Sequence, residues 1–229
     1  MQITPKTIDV LKNFLNVNMN LSIKPGKVLK TISPQRTMFA EAEIDVDFPV
    51  ACPIYDLGSF VTALTLFDGS DIEFSDKSAL IKNSSGSSIT YYYSAAGIVQ
   101  AAPDEQIKLD KEIYKAVFTA ADMSAIMKVS GALNAQHVWV YTDKDGRVFL
   151  KVGDRKNVTA NSFTKELGMS DETFDVAIDV SALKLYPGGY NVSIWTKKTA
   201  KGDMCVWVFE HDTEKIKYWS TASTGSTAS

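Results

Sequence analysis

The chain has 229 residues, 45% of them hydrophobic and 22% charged, with a formal net charge of −3. That length accommodates one large domain or two of about 100–120 residues. The charge balance excludes a global basic field of the kind that drives strong free-standing DNA binding and leaves room only for a locally basic face; no run of about 18 apolar residues marks a membrane span.

The opening stretch, MQITPKTIDVLKNFL, has neither a basic n-region nor a continuous apolar h-region, so a soluble, non-secreted protein is expected. Thr4 as N-cap and Pro5 at the first helical position start a helix with Ile8, Leu11, Phe14 and Leu15 on one stripe. Lys6, Asp9, Asn13 and Asn16 lie opposite, with Lys12 on the flank. Strand-like runs follow, NLSIKPG, KVLKTIS and TMFAEAEID, punctuated by Pro and Gly. In IYDLGSFVTALTLF, Asp56 caps a short helix that buries Leu57, Phe60, Val61 and Leu64. DIEFS, SALIKN and SSITYYYS then read as strands.

After an Ala/Gly/Pro-containing stretch around SAAGIVQAAPDEQIKLD, the same order returns. FTAADMSAIMKVSGALN is a helix with Thr119 near its cap and Met123, Ile126, Met127, Ser130 and Leu133 as its stripe. HVWVYTDKDGRVFLKVG is a hairpin turning at Lys144-Asp145-Gly146. NVTANSFTKEL is a strand, FDVAIDVSALKLY a strand and a second Asp-capped helix (Asp179) stopped by PGGY, and NVSIWTKK, DMCVWVFE and KIKYWST are strands. Each half thus reads helix, strands, Asp-capped helix, strands, which is the mark of an internal duplication. The expected organisation is an N-terminal domain over 1–95, a linker over 96–111, a C-terminal domain over 112–221 and a flexible small-polar tail over 222–229.

The sequence offers no catalytic constellation. There are two histidines, His137 and His211, and no Cys-x-x-Cys, His-Glu-x-x-His, nucleophile elbow, dinucleotide fingerprint or phosphate loop. Cys52 and Cys205, inside apolar runs, are expected to be buried free thiols. The acidic run EAEIDVDF is read as a solvated edge, its carboxylates spread over two faces or a loop rather than around a cation. No metal, no cofactor and no enzymatic activity are expected.

The helices say more. Their outer faces are built of short side chains: Gly58, Ser59 and Thr62 on the second, Ser124, Ala125, Lys128 and Gly131 on the third. The charges beside them are mostly lysines, Lys6, Lys12, Lys128 and Lys184, against Asp9 and Asp122. Such a smooth, mildly positive surface suits a polyanion held weakly and without regard to sequence.

VLKNF at Val10–Phe14, FAEAEI at Phe39–Ile44, IYDLGSF at Ile54–Phe60, MKVSGAL at Met127–Leu133 and DVSALKLYPGGY at Asp179–Tyr190 resemble, in order along nearly the whole chain, the DNA polymerase sliding clamp of T-even-type bacteriophages. The resemblance implies an α+β fold of two duplicated DNA-clamp-type domains, each with two helices packed on antiparallel sheets, assembling as a homotrimer into a closed ring. Duplex DNA would pass through it, and the replicative DNA polymerase would be tethered for processive synthesis in the cytoplasm of an infected bacterial host. An ATP-driven clamp loader and late-transcription factors are the further partners implied. The alternative is a ring- or tube-forming structural phage protein without a tethering role. By the resemblance, Lys6, Lys12, Asn13, Asn16, Lys128 and Lys184 face DNA. Ile98, Val99, Ile107, Leu109 and Tyr218 supply a pocket for partner peptides, and Tyr91, Tyr93, Val158 and Phe163 join subunits through sheet edges.

Overall fold

The Thr4-Pro5 start signal works as its chemistry dictates. In the computed structural model, which describes residues 1–67, 69–95, 97–157, 159–200 and 202–228, helix α1 (Pro5–Phe14) opens with the Thr4 hydroxyl accepting a hydrogen bond from the Thr7 amide. Ile8, Val10, Leu11 and Phe14 are buried along one face. For so short a helix that packing, more than propensity, supplies the stability.

The chain divides into two units, Met1–Asp104 and Glu105–Ser229. In the first, α1 is followed by β1 (Leu21–Ile23), β2 (Gly26–Ile32), β3 (Met38–Phe48), β4 (Cys52–Ile54), α2 (Leu57–Thr65), β5 (Asp71–Phe74), β6 (Ser78–Lys82) and β7 (Ser88–Tyr92). β1 pairs with β4 and β2 with β3, while β5, β6 and β7 form an antiparallel meander with β7 at its edge. Along β3 the residues Ala40, Ala42, Ile44, Val46 and Phe48 are buried, so Glu41, Glu43, Asp45 and Asp47 all stand on the opposite face. This corrects the expectation that alternation would scatter these carboxylates. Spacing of two keeps them on one side of the strand, and among the described residues no group of His, Cys, Asp and Glu could hold a metal ion.

Asp56 caps α2 as expected, accepting from the Ser59 amide at 2.9 Å and the Ser59 hydroxyl at 2.6 Å. These bonds, the hydroxyl's foremost, hold its carboxyl below the usual carboxylate range. Leu57, Phe60, Val61 and Leu64 are buried beneath the helix.

The second unit contains β8 (Lys111–Phe118), α3 (Ala120–Ala132), β9 (His137–Thr142), β10 (Arg147–Gly153), β11 (Phe163–Met169), β12 (Phe174–Asp179), a 3-10 turn (Val180–Leu183), β13 (Tyr190–Thr199), β14 (Gly202–His211), β15 (Ile216–Thr221) and β16 (Thr227–Ala228). One antiparallel sheet runs β11-β10-β9-β12-β16, with β11 at its edge, and β8, β13, β14 and β15 pair in that order within another. Tyr190, Trp207, Phe209 and Tyr218 are fully buried in the core. Helix α3 carries a complete capping box, the Thr119 hydroxyl and the Asp122 carboxylate each satisfying the other's backbone amide.

Two expectations for this unit are overturned. The segment after Asp179 is a 3-10 turn rather than a second α-helix, and the Asp179 side chain makes no capping bond. Leu183 and Leu185 are both buried with Lys184 exposed between them, a spacing of two that an α-helix cannot place on one face. The tail also remains attached to the unit. Thr227–Ala228 pairs with Phe174–Asp175, the Ser223 amide donates to the Ala177 carbonyl at 2.7 Å, and the Ala177 amide donates to Ser226 Oγ at 3.0 Å. β12 would otherwise leave that edge unpaired. Cys52 and Cys205 are buried free thiols, and no helix among the described residues is long and apolar enough to cross a membrane.

Candidate nucleic-acid interface

On α1 the exposed side carries Asp9 and Lys12, with Asn16 exposed just beyond its end. The Lys12 ammonium lies 3.8 Å from Asp9, one turn away, so part of its charge is already answered. Lys6 is half-buried on the flank. The Asp45 carboxyl beside it is held down first by the Thr4 hydroxyl at 2.7 Å, further by Thr7 and the charge of Lys6. Asn13 does not face outward as expected. It is 8% exposed, because it stands seven residues from Lys6 and shares that helix's flank instead of the outer face.

The outer side of α2 bears Gly58, Ser59, Thr62 and Thr65 and no charge within the helix. Thr62 donates to the Gly58 carbonyl and Thr65 to the Val61 carbonyl, both at 2.9 Å, so these hydroxyls are turned back on their own helix. A side chain at Gly58 would press its Cβ to 3.3 Å from the capping Asp56 carboxylate. In the second unit α3 exposes Ser124, Ala125, Lys128, Gly131 and Ala132. Its one acidic residue, Asp122, is engaged by the Lys165 ammonium and the Thr119 cap. An added Cβ at Gly131 would meet nothing within 4 Å, so the site has room for a larger residue. Lys184 is exposed on the rim of a cavity of about 550 Å³ that also takes in Gln136, His137, Asp154, Lys156 and Ser181. These faces carry short side chains and few charges, and in the Lys184 cavity Asp154 and Asp179 stand against Lys156 and Lys184.

The residues expected to form a peptide pocket divide between the two units. Ile98 is 60% exposed and Val99 is buried in the first unit; in the second, Ile107 and Leu109 are half-buried and Tyr218 is inaccessible. The Tyr218 hydroxyl accepts from the Tyr186 amide at 3.1 Å inside the core, and burial pushes that phenol up. Alternation along IKYWST puts Tyr218 inward and its neighbour Trp219 outward. There Trp219 lies across from Val208, with the Lys217 ammonium 5.2 Å from its ring. On the same sheet face, Leu109, Trp195, Val208 and Lys115 line a cavity of about 260 Å³. Strand periodicity alone distinguishes the inward Tyr218 from the outward Trp219.

The edge residues need a similar correction. Tyr91 and Tyr93 turn inward: the Tyr91 ring meets Phe60 edge-on at 5.0 Å and its hydroxyl donates to the Asp56 carbonyl at 2.9 Å, while Tyr93 points at the Cys52 thiol. It is Tyr92, 75% exposed, that faces out from β7 beside the exposed Tyr55 and Ile98. Phe163 is half-exposed at the start of β11. Val158 lies outside the described residues. Of the two segments expected to pair between subunits, the first is edge strand β7; the second, NVTANSFT, reaches edge strand β11 only at Phe163 and Thr164, with residues 159–162 outside any strand.

A family model described as DNA polymerase processivity factor matches residues 4–101. Among curated proteins, the chain is similar to the sliding clamp of Enterobacteria phage T4, 30% identical over 206 residues that cover 86% of this chain and 88% of that one. It is similar also to the sliding clamp of Vibrio phage KVP40, 28% identical with 85% and 90% covered. Among solved structures, proliferating cellular nuclear antigen from Entamoeba histolytica matches with a TM-score of 0.64 at 12% identity, covering 94% of each chain. The Helicobacter pylori beta clamp bound to a DNA ligase peptide matches with a TM-score of 0.65 at 14% identity, covering 96% of this chain and 64% of that one. At such identities these two likenesses concern the fold.

Proposed function

The chain belongs to the sliding-clamp family of T4-like phages, and on that premise we propose that it closes as a homotrimer around duplex DNA and tethers the replicative polymerase. The observation that carries this reading is the collinear relationship to phage sliding clamps over most of both chains, joined to a clamp fold whose outer helix faces are short-chained and weakly basic. The curated relatives named above are sliding clamps, which leaves a purely structural ring or tube without footing.

The sheet edges support ring closure. β7 belongs to the first unit and β11 to the second, so pairing one copy's β7 with the next copy's β11 is head-to-tail, an arrangement that makes a ring where its rotation closes and a filament where it does not. Tyr92 and Phe163, with Tyr55 and Ile98 nearby on the first unit, are the side chains for that junction. Lys12, Asn16, Lys128 and Lys184 meet phosphates, with Lys6 supporting from the flank. Weak, salt-sensitive contacts of this kind permit sliding, and the tether works through effective concentration rather than through affinity for DNA. The groove at Leu109, Trp195 and Val208, with Trp219 on the same sheet face, takes short segments of the polymerase and, in the host cytoplasm, of the loader and late-transcription factors. No catalytic step belongs to the protein.

Analytical ultracentrifugation should give a trimer at micromolar concentration, and long-product synthesis by the cognate polymerase should depend on this protein, a loader and ATP. A monomer at every concentration, or synthesis indifferent to its addition, would count against the proposal.

A further inference from the structure

In the first unit, residues 101–104 lie against the turn between β1 and β2. Ser22, Pro25 and Val28 on one side and Ala101 and Ala102 on the other enclose a cavity of about 190 Å³. Val28 is an apolar residue still 41% exposed there. Backbone pairing does not hold this segment in place: among the described residues, none of 101–103 makes a hydrogen bond. Burial of Val99 fixes one end. The other end is held by charge alone, with the Lys24 ammonium on the Asp104 carboxylate and the Lys30 ammonium 3.5 Å from the Asp104 carbonyl. Lys30 is itself steadied by Glu41 at 3.0 Å. The Lys24 and Asp104 side chains are 52% and 76% exposed, so salt reaches the pair freely.

We propose that residues 101–104 are a strap closed over a mixed polar and apolar cavity on β2 by an ionic latch, Lys24 and Lys30 gripping Asp104, and that release of the latch opens this cavity and bares the rest of the partly exposed Val28. An exposed ion pair is weak, so the closed and open strap differ little in free energy. That is what a reversible cover requires. Salt, or a competing carboxylate on Lys24, opens it without disturbing the sheet beneath.

The test is a nitroxide label on Ala101→Cys in the full chain, where the two native thiols are buried and the new one is reactive. At low salt the label should be partly immobilised. In Lys24→Ala, or in molar salt, its mobile fraction should rise roughly two- to fivefold, with the circular dichroism unchanged. The charge swap Lys24→Asp with Asp104→Lys should restore the immobilised spectrum. Equal mobility in all these proteins would overturn the strap. Mobility gained in Lys24→Ala but not recovered by the swap would overturn the latch.

Discussion

Tyr218 and Trp219 are sequence neighbours on β15 with opposite environments, and they should fail in opposite ways. Tyr218→Phe keeps the buried ring but strands the Tyr186 amide, whose hydrogen bond to the phenol spans 3.1 Å. An unsatisfied amide of this kind costs about 1–3 kcal/mol, which lowers the urea midpoint while leaving the outer sheet face intact. Trp219→Ala removes the ring that stacks under Lys217 at 5.2 Å and lies across from Val208. That cation–π interaction is worth about 0.5–1 kcal/mol, so folding should suffer little. On the proposed reading that partner segments dock on this sheet face, Trp219 should contribute about 2 kcal/mol or more to their affinity, roughly thirtyfold. The assay pairs urea unfolding with fluorescence anisotropy of a labelled peptide from the C-terminus of the cognate polymerase. Unchanged peptide affinity in Trp219→Ala, or a peptide defect without instability in Tyr218→Phe, would refute the assignment of faces.

Lys128→Ala should reduce the slope of log K against log salt for a fluorescent duplex by about 0.9 for each phosphate it no longer neutralises, or about 2.7 in the proposed trimer. Lys12→Ala should change it less, because Asp9 lies 3.8 Å from that ammonium. The Asp122 carboxyl is depressed first by the Lys165 ammonium and then by Thr119. A depressed group contributes its stability above the unfolded pKa, about 3.9, and loses it as pH falls through the folded value. Asp122→Asn should therefore flatten the acid limb of the stability–pH curve below about pH 4, and an unaltered limb would contradict the cap. Ser226→Ala removes the acceptor 3.0 Å from the Ala177 amide. Hydrogen exchange at Ala177 should accelerate on the order of tenfold, and an unchanged rate would mean that the tail does not hold β12.

Much of this architecture is written locally. Thr4-Pro5, Asp56 and Thr119 with Asp122 announce three helix starts because capping needs only residues a turn apart. Lys144-Asp145-Gly146 announces a hairpin because Gly146 adopts φ +79° in its turn. Several misreadings come from judging a side chain by its type instead of its angle. Asn13 is polar but stands on a flank; Tyr91 and Tyr93 are inward and Tyr92 outward by strand alternation; Tyr218 is inward and Trp219 outward for the same reason. The 3-10 turn after Asp179 is foreshadowed by Leu183 and Leu185, a spacing unsuited to an α-helix. The pairing of residues 222–228 could not be read from STASTGSTAS, because what recruits it is an open edge on β12, a partner distant in sequence.

The central claim is that the tether is topological, and one measurement addresses it directly. The labelled protein is loaded onto closed circular plasmid by the loader and ATP, washed in salt high enough to screen phosphate contacts, and the DNA is then cut once. Retention on the circle followed by loss on linearisation is the predicted result. Retention that survives the cut, or the same loss before and after it, would contradict a ring around DNA.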